Sequence, residues 1–449
     1  MGNCGSANNN KQTHVKTNQI KDKVDSKQKN NQNKNQTNSK LKSVPPSSKL
    51  EEQINKKKVK FSIKNLETNE DLLNSFFDDN SLLKDVISQI NYDKNKDYDI
   101  LNNNNEKLND KLEMKIKDIF PDSNIQLNLK YSGLEIPENI QNAYSENNKL
   151  IGSLILDNPD YVGIFILNTT TDETSNFIYS NENQLRKYNS FTAFCNGKNN
   201  IFISGGENQN KGKNNNELYN DFCMIDLEKV TQNNIPIIEL TNLIEARTWH
   251  SMIYIPNKYI FIVGGIKNKS VELYDIDNKI IKKDSELNEA RSECSLCLVN
   301  NYYLYAFCGF LFNQFFINTI ERCNLRRENR KWEIVNYSVE NNIKFNPSFF
   351  GVCYYKDKII LLGGNEVNEE KNKNYIVSIG NNQKDDNINE YKLNENLINV
   401  YREKFFIPIN DKFSINIPLI SNNPNIFYFD NENGTIIKKD YQRFYMQIQ

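Results

Sequence analysis

Hydrophobic residues are unevenly distributed along the chain, and their spacing predicts three kinds of segment. Between residues 11 and 48 almost nothing is apolar, so this stretch cannot offset the entropy lost on ordering. The next segment has helical spacing, as in Leu82, Val86 and Ile90. Further on, short apolar runs alternate with polar turns, a pattern typical of β-strands. We therefore predict a disordered basic tether over 1–69, an acidic helical segment over 70–121 and an all-β domain over 122–449.

An apolar run that ends in glycine recurs four times in the predicted all-β domain. The glycines are Gly205, Gly206, Gly264, Gly265, Gly309, Gly363 and Gly364. Successive copies are about 44 to 60 residues apart, which is the length of one propeller blade of four strands. Phe310 follows Gly309, so we assign Gly309 to the first glycine position of its copy. A parallel α/β fold would instead place a helix after each run, but the intervening segments are short, polar and strand-like.

Other residues recur in phase with these glycines. Arg247 and Arg291 precede strands, and Tyr274 lies in a Val-Glu-Leu-Tyr-Asp strand after one glycine pair. Trp332 follows the corresponding strand of the next copy. The combination resembles the kelch repeat over about residues 187 to 400. This resemblance implies a kelch-type β-propeller, in which the tyrosine and tryptophan pack between blades; with the weaker flanking strands we expect six blades.

The resemblance also implies a binding surface. In kelch propellers that resemble this chain, the side chain two positions after the arginine lies at the mouth of the propeller. The corresponding positions here are Ser190, Trp249, Glu293 and Phe349. This mixture of side chains suits a peptide better than a small anion. The alternative interpretation is that Trp249 and Phe349 are buried between blades.

The sequence gives little support for catalysis. Some kelch-type propellers are oxidases whose copper site uses two histidines and two tyrosines. This chain has two histidines in total, and His14 lies in the tail. We therefore expect no metal and no cofactor, and we expect His250 to have a structural hydrogen-bonding role. A kelch-type epimerase or hydrolase is the enzymatic alternative, for which Glu293 is the one polar mouth residue of the required kind.

The first residues carry a lipidation pattern. Gly2 follows Met1 and Ser6 lies four positions later, which is the pattern of N-myristoylation. One myristoyl chain binds a membrane only marginally, and Cys4 is placed to carry a palmitoyl chain as the second anchor. The first sixty residues contain fourteen lysines and four acidic residues, which favours anionic lipid. We expect attachment to the cytoplasmic side of a membrane, and the overall net charge of -1 argues against nucleic acid as a partner.

A possible docking motif lies in the predicted tether. Lys58, Val59 and Phe61 resemble the RVxF-type motif of proteins that regulate the type-1 protein phosphatase catalytic subunit. In an extended strand Val59 and Phe61 would face the same side and could enter neighbouring pockets of a partner. Our leading hypothesis is a membrane-anchored, non-catalytic protein-interaction scaffold. The alternatives are a targeting subunit of the type-1 phosphatase and, with least support, a propeller enzyme.

Overall fold

A computed structural model describes most of the chain from Lys57 onwards. The described residues are 57–91, 96–122, 124–155, 161–180, 193–208, 217–311, 315–339, 351–355, 358–362, 375–378, 386–390, 407–408, 413–416, 425–430 and 435–440. Residues 57 to 449 form one compact unit. Within the described part, no helix is both long enough and apolar enough to span a membrane. Gly2 and Cys4 lie outside the described residues.

The first of the described regions is a mixed four-stranded sheet. Its strands are β1 (Lys58–Asn65), β2 (Asp71–Asp78), β3 (Tyr98–Leu101) and β4 (Asn124–Tyr131), with helices α1 (Leu83–Ile87) and α2 (Ile116–Ile119) and a 3₁₀ turn (Asn109–Lys111). The strand order is β2-β1-β4-β3. β1 is antiparallel to β2 and parallel to β4, which is antiparallel to β3. This sheet, hereafter the N-terminal sheet, has its own hydrophobic core of inward-facing strand residues and helix residues.

The N-terminal sheet overturns two of the expected segment boundaries. The tether predicted over 1–69 is wrong from Lys58 onwards, because Val59, Phe61 and Ile63 alternate with polar residues as in a half-buried strand. The helical segment predicted over 70–121 is also wrong in its first part, where β2 forms. Pairing with β1 overrides the helical spacing there. The domain predicted over 122–449 starts too early, since β4 completes the N-terminal sheet.

The proposed phosphatase-docking motif lies inside this sheet. Val59 is 2% exposed and Phe61 is fully buried. The Phe61 ring makes edge contacts with Phe77 and Phe120, with ring centroids 5.8 and 6.0 Å apart. Side chains that fill the core of their own sheet are not available to the pockets of a partner. The interpretation of Lys58, Val59 and Phe61 as a docking motif is therefore wrong for the folded chain.

The rest of the chain forms consecutive antiparallel sheets. The first sheet contains β5 (Leu150–Ile155), β6 (Tyr161–Asn168) and β7 (Thr174–Ser180), and the second contains β8 (Ala193–Gly197), β9 (Asn200–Ser204), β12 (Phe222–Asp226) and β13 (Ile237–Glu239). The third sheet contains β14 (Ser251–Ile255), β15 (Tyr259–Val263), β16 (Val271–Asp275) and β17 (Ile280–Lys283), and the fourth contains β18 (Ser295–Val299), β19 (Tyr303–Phe307), β22 (Ile320–Asn324) and β23 (Trp332–Val335). The fifth sheet contains β25 (Gly351–Tyr355), β26 (Lys358–Leu362), β27 (Tyr375–Ser378) and β28 (Asp386–Glu390), and the sixth contains β29 (Ile407–Pro408), β30 (Phe413–Asn416), β31 (Asn425–Asp430) and β32 (Thr435–Asp440). β24 (Tyr337–Val339) joins the fifth sheet in parallel with β28. Two small hairpins are β10 (Glu207–Asn208) with β11 (Glu217–Leu218), and β20 (Phe310–Leu311) with β21 (Phe315–Phe316).

These sheets are arranged as in a β-propeller. The first strands β8, β14, β18 and β25 are neighbours in that order, so these four sheets pack side by side with their first strands innermost. The largest core cluster fills the space between four consecutive sheets and includes Phe202, Phe261 and Leu304. Tyr274 packs across this boundary onto Phe222 of the preceding sheet, with ring centroids 5.1 Å apart. Tyr274 therefore packs between two neighbouring sheets, as the sequence predicts for the tyrosine of the repeat.

One end of the propeller-like region is covered by the segment that connects it to the N-terminal sheet. Helix α3 (Ile140–Asn147) begins at Asn139, whose side-chain oxygen accepts a hydrogen bond from the Asn142 N–H at 3.0 Å. The buried Tyr144 hydroxyl donates to the Tyr254 carbonyl, at the end of β14. A turn at the end of β22 also bonds the N-terminal sheet, because the Glu328 N–H donates to Asp97 at 3.1 Å. Among the residues that the structure describes, this segment covers one end of the strands and leaves the opposite end open.

We predict that Phe61→Ala lowers the free energy of unfolding of the N-terminal sheet by about 3–5 kcal/mol, because it removes a fully buried ring. Hydrogen exchange of the β1 amides, measured by mass spectrometry on the full chain, would report this loss. Lys60→Ala is the matched control, since its side chain points away from the core. Equal protection of β1 in the two variants would contradict the burial of Phe61.

Candidate interaction face

Each of two consecutive sheets contains a buried arginine–glutamate pair. Arg247 precedes β14 and pairs with Glu272 of β16, and both side chains are fully buried. The guanidinium also donates to the carbonyl oxygens of Gly264 and Ser270, at 3.1 Å each. The Glu272 carboxylate accepts from the backbone N–H groups of Ile244 and Glu245, at 2.8 and 3.0 Å. The pair therefore fastens the loop before β14 to the turn after β15.

The next sheet repeats this network with different supporting side chains. Arg291 pairs with Glu321 at 2.6 Å, and both side chains are again fully buried. Arg291 donates to the Cys308 carbonyl, and Glu321 accepts from the Asn288 N–H at 2.7 Å. Thr319 takes the place that Ser270 has in the preceding sheet. Such recurrence shows that the arginine before each strand has a structural role.

The charges around the first pair are arranged to offset its burial. Removal from water lowers the pKa of Arg247, while Glu272 beside it favours the charged form. Glu245 lies at the rim of the network, where hydrogen bonds from Lys283 and Ser270 lower its pKa to about 2. Its contact with Lys283 is 2.6 Å long and partly exposed. The network thus joins a buried ion pair, Arg247 with Glu272, to a partly exposed ion pair, Lys283 with Glu245.

The glycine turns connect neighbouring sheets through the same arginines. The Gly206 N–H donates to the Arg247 carbonyl and the Gly265 N–H to the Arg291 carbonyl, both at 2.9 Å. Gly264 has a φ of +69°, and a Cβ there would fall against the Arg291 carbonyl oxygen. Only glycine fits such a turn without strain. The arginine backbone therefore sets the contact between sheets, while its side chain closes its own sheet.

The structure corrects the assignment of Gly309. Cys308, with a φ of +51°, occupies the first glycine position, and Gly309, with a φ of +110°, occupies the second. The Cys308 N–H donates to the Thr319 carbonyl as the Gly264 N–H donates to that of Ser270. The sequence position that departs from the repeat is therefore the first glycine. Gly363 and Gly364 lie outside the described residues.

Trp249 and Glu293 occupy equivalent positions, each two residues before an inner strand. Both have positive φ values, +57° and +54°, which non-glycine residues rarely adopt. The Glu293 N–H donates to the Trp249 carbonyl at 2.8 Å, so the two positions are adjacent at the open end. Trp249 is half-buried, whereas Glu293 is only 4% exposed. The expectation of a mouth contact is therefore wrong for the Glu293 side chain.

The other two expected mouth residues, Ser190 and Phe349, lie outside the described residues. The strand register also changes one assignment, because β8 begins at Ala193 and pairs it with Ser204 as β14 pairs Ser251 with Val263. The sequence position that corresponds to Trp249 is thus Phe191, one residue after Ser190. The shift arises because the first copy lacks the arginine that fixes the alignment of the two copies with Arg247 and Arg291.

Two hairpins place exposed apolar side chains at the same end of the strands as Trp249. Leu218 of β11 and Leu311 of β20 are 40% and 39% exposed, and Ile244 is 48% exposed in the loop before Arg247. The rings of Phe310 and Phe316 pack together, with centroids 4.6 Å apart. We name the open end formed by Trp249, Ile244 and these hairpins the interaction face. The sequence pattern did not predict these hairpins. The cluster of phenylalanines between Gly309 and Ile320 could have indicated the hairpin of β20 and β21.

Other candidate groups have structural partners. The expected structural role of His250 is confirmed, because its Nε2 lies 2.7 Å from the Ser204 hydroxyl and the residue is buried. Arg327 pairs with Asp97, and Arg330 pairs with Asp284. Burial raises the pKa of the Cys297 thiol, which favours its neutral form. No group of three metal-ligating side chains lies together among the described residues.

No protein-family model matches the chain, and no curated protein matches it significantly. The solved structures that match include one entitled "Structure of YjhT", at 10% sequence identity with a TM-score of 0.46. That match covers 64% of this chain and 97% of the other.

We predict that Arg247→Met and Glu272→Gln each lower the free energy of unfolding by about 3–5 kcal/mol, because each leaves a buried charge unpaired. The double variant should lose clearly less than the sum of the single losses. The exposed pair serves as the control, and Lys283→Met with Glu245→Gln should show a coupling of about 1 kcal/mol or less. Urea unfolding of all variants provides the measurement. Additive losses at Arg247 and Glu272 would show that the two charges do not depend on each other.

Proposed function

We propose that this protein is a non-catalytic interaction scaffold, a six-bladed kelch-type propeller held at the cytoplasmic face of a membrane by N-terminal acylation. The six consecutive antiparallel sheets support the blade number. The buried arginine, the glycine turn and the inter-sheet tyrosine support the kelch assignment, because they combine in one repeating network. Gly2, Cys4 and the basic tail support the anchor.

The observation that carries the scaffold proposal is the conformation of Trp249. A large aromatic residue with positive φ costs about 1–3 kcal/mol relative to an unstrained backbone. The equivalent Glu293 has the same conformation, so the repeat enforces it and holds the Trp249 backbone in a defined position. Trp249 is half-buried at the interaction face, where Ile244 and Leu311 are also partly exposed. A partly exposed aromatic group among aliphatic groups fits an apolar anchor of a protein partner.

The enzymatic alternative has less support. An epimerase or hydrolase needs polar side chains that converge on a substrate. Glu293 was the candidate for that role, and its side chain is buried. The open end instead combines an aromatic residue with aliphatic residues, which favours recognition of a protein surface.

We predict that Trp249→Ala weakens partner binding by at least about thirtyfold, the loss expected for an aromatic hot-spot residue. Proteins retained from a membrane fraction by the tagged full chain would be quantified by mass spectrometry. Ile334→Ala is the control, because Ile334 is exposed on the outer strand β23, away from the interaction face. The same retained proteins at the same level in wild type and both variants would contradict a binding role for Trp249.

We also predict that Gly2→Ala moves the chain from the membrane to the soluble fraction. Cys4→Ser should leave it weakly and reversibly bound, because one acyl chain gives only marginal membrane affinity. Metabolic labelling with a myristate analogue, followed by fractionation, tests both statements. A wild-type chain that incorporates no label would rule out the acyl anchor.

A further inference from the structure

The outward face of the N-terminal sheet is basic along its central strand. Lys58, Lys60 and Lys64 of β1 alternate with the buried residues of the same strand, so their side chains lie on the face away from the core. Lys130 of β4 is on the same face, two positions beyond Asn128, which pairs with Lys64. The core cluster covers only the other side of the sheet. The lysines therefore share one solvent-facing surface.

An aromatic side chain stands on this surface. Phe76 of β2 is 62% exposed and pairs directly with Lys60 across the strands. Its neighbour Phe77 points into the core and is 9% exposed. A phenylalanine this exposed loses the favourable free energy of burial unless something outside the fold covers it. Phe76 is accordingly the one group of this surface that gains most from insertion into an apolar phase.

The charges around Phe76 favour an anionic partner. Lys60 is flanked by the neutral residues Ser62 and Asn124 and faces Phe76. Carboxylates occur opposite the outer lysines, with Asp78 across from Lys58 and Asp71 across from Lys64. A third, Asp99, is paired with Lys107 at 2.6 Å. The centre of the surface is therefore positive, with an aromatic group beside its least compensated lysine.

The surface also includes the edge of the sheet that lies away from its attachment to the rest of the chain. β2 is an edge strand, and the opposite edge strand β3 leads from Asp97, which bonds the rest of the chain through Arg327 and Glu328. Phe76 thus lies on the side of the sheet remote from this attachment. Lysines of the basic tail immediately precede β1 in the sequence.

From this arrangement we propose that the outward face of the N-terminal sheet docks on anionic phospholipid, with Phe76 inserted at the headgroup boundary and Lys60 and Lys64 contacting lipid phosphates. This proposal rests on the membrane location proposed above but does not require the acyl chains. Lysines near an anionic membrane surface attract it in a salt-dependent way, and an aromatic side chain adds an apolar contribution that salt does not screen. The docked sheet would hold the scaffold close to the membrane at a second point.

The test uses the full-length chain with Gly2→Ala and Cys4→Ser, so that acylation plays no part. Co-sedimentation with vesicles of phosphatidylcholine alone, and with about 30% phosphatidylserine added, measures partitioning. We expect binding to the anionic vesicles, and Phe76→Ser should weaken it at least about fivefold. Lys60→Gln with Lys64→Gln should weaken it to a similar degree and reduce its dependence on salt. Because these side chains are at least partly exposed, unchanged thermal unfolding would confirm that each variant is folded.

Two matched controls distinguish binding by this surface from non-specific hydrophobic or electrostatic binding to the vesicles. Ile334→Ser removes an exposed apolar group elsewhere and should leave vesicle binding unchanged. Lys21→Gln with Lys23→Gln removes the same charge from the tail. If Phe76→Ser has no more effect than Ile334→Ser, or the β1 lysines no more than the tail lysines, the docking surface is overturned and only the tail binds lipid. Absence of myristate labelling would instead refute the anchor and leave this surface standing.

Discussion

The buried pairing of arginine with glutamate is the constraint on which the propeller-like region depends. Two opposite charges removed from water are tolerable only if they meet each other and if their remaining hydrogen-bonding capacity is also satisfied. Arg247 and Glu272 meet this condition by bonding backbone groups of the loop before β14 and of the turn between β15 and β16. The geometry of these loops is therefore fixed by the need to satisfy both ions. A hydrophobic pair of the same size would fill the space but would not position these two backbone segments.

Arg247 also connects its own sheet to the preceding one. The Arg247 side chain belongs to its own sheet, while its carbonyl oxygen accepts a hydrogen bond from the glycine turn of the preceding one. A displacement of the arginine would thus disturb two sheets at once. This coupling explains why Trp249, two residues further on, can be held with a positive φ, because the backbone on its N-terminal side is already fixed from both directions. The structural repeat and the candidate binding residue are parts of one segment.

The sequence predicted the repeating part of this fold well, because glycine turns and buried charges restrict which residues are acceptable. The residue types of Gly264, Arg247 and Tyr274 are enough to predict a turn, a structural position before a strand and packing between sheets. Cys308 does not, since its positive φ is imposed by neighbours that the sequence pattern does not reveal. The hairpin of β20 and β21 was missed for a related reason. Insertions at a turn carry no periodic signal, although they contribute much of the interaction face.

The N-terminal sheet shows why alternation of lysine with apolar residues is ambiguous. Val59 and Phe61 satisfy a short linear motif and a half-buried strand equally well, because both require side chains that face one way at a spacing of two residues. What separates the two readings is a second strand with matching alternation. Ile125, Leu127 and Leu129 provide it about sixty residues later, where β4 pairs with β1 in parallel. The inward half of the pattern therefore belongs to the fold. The lysines left on the other face are then no longer features of a flexible tail, because the strand holds them in fixed positions. A charge pattern held rigidly can present an aromatic group at a defined depth to a surface, which a disordered basic tail cannot do.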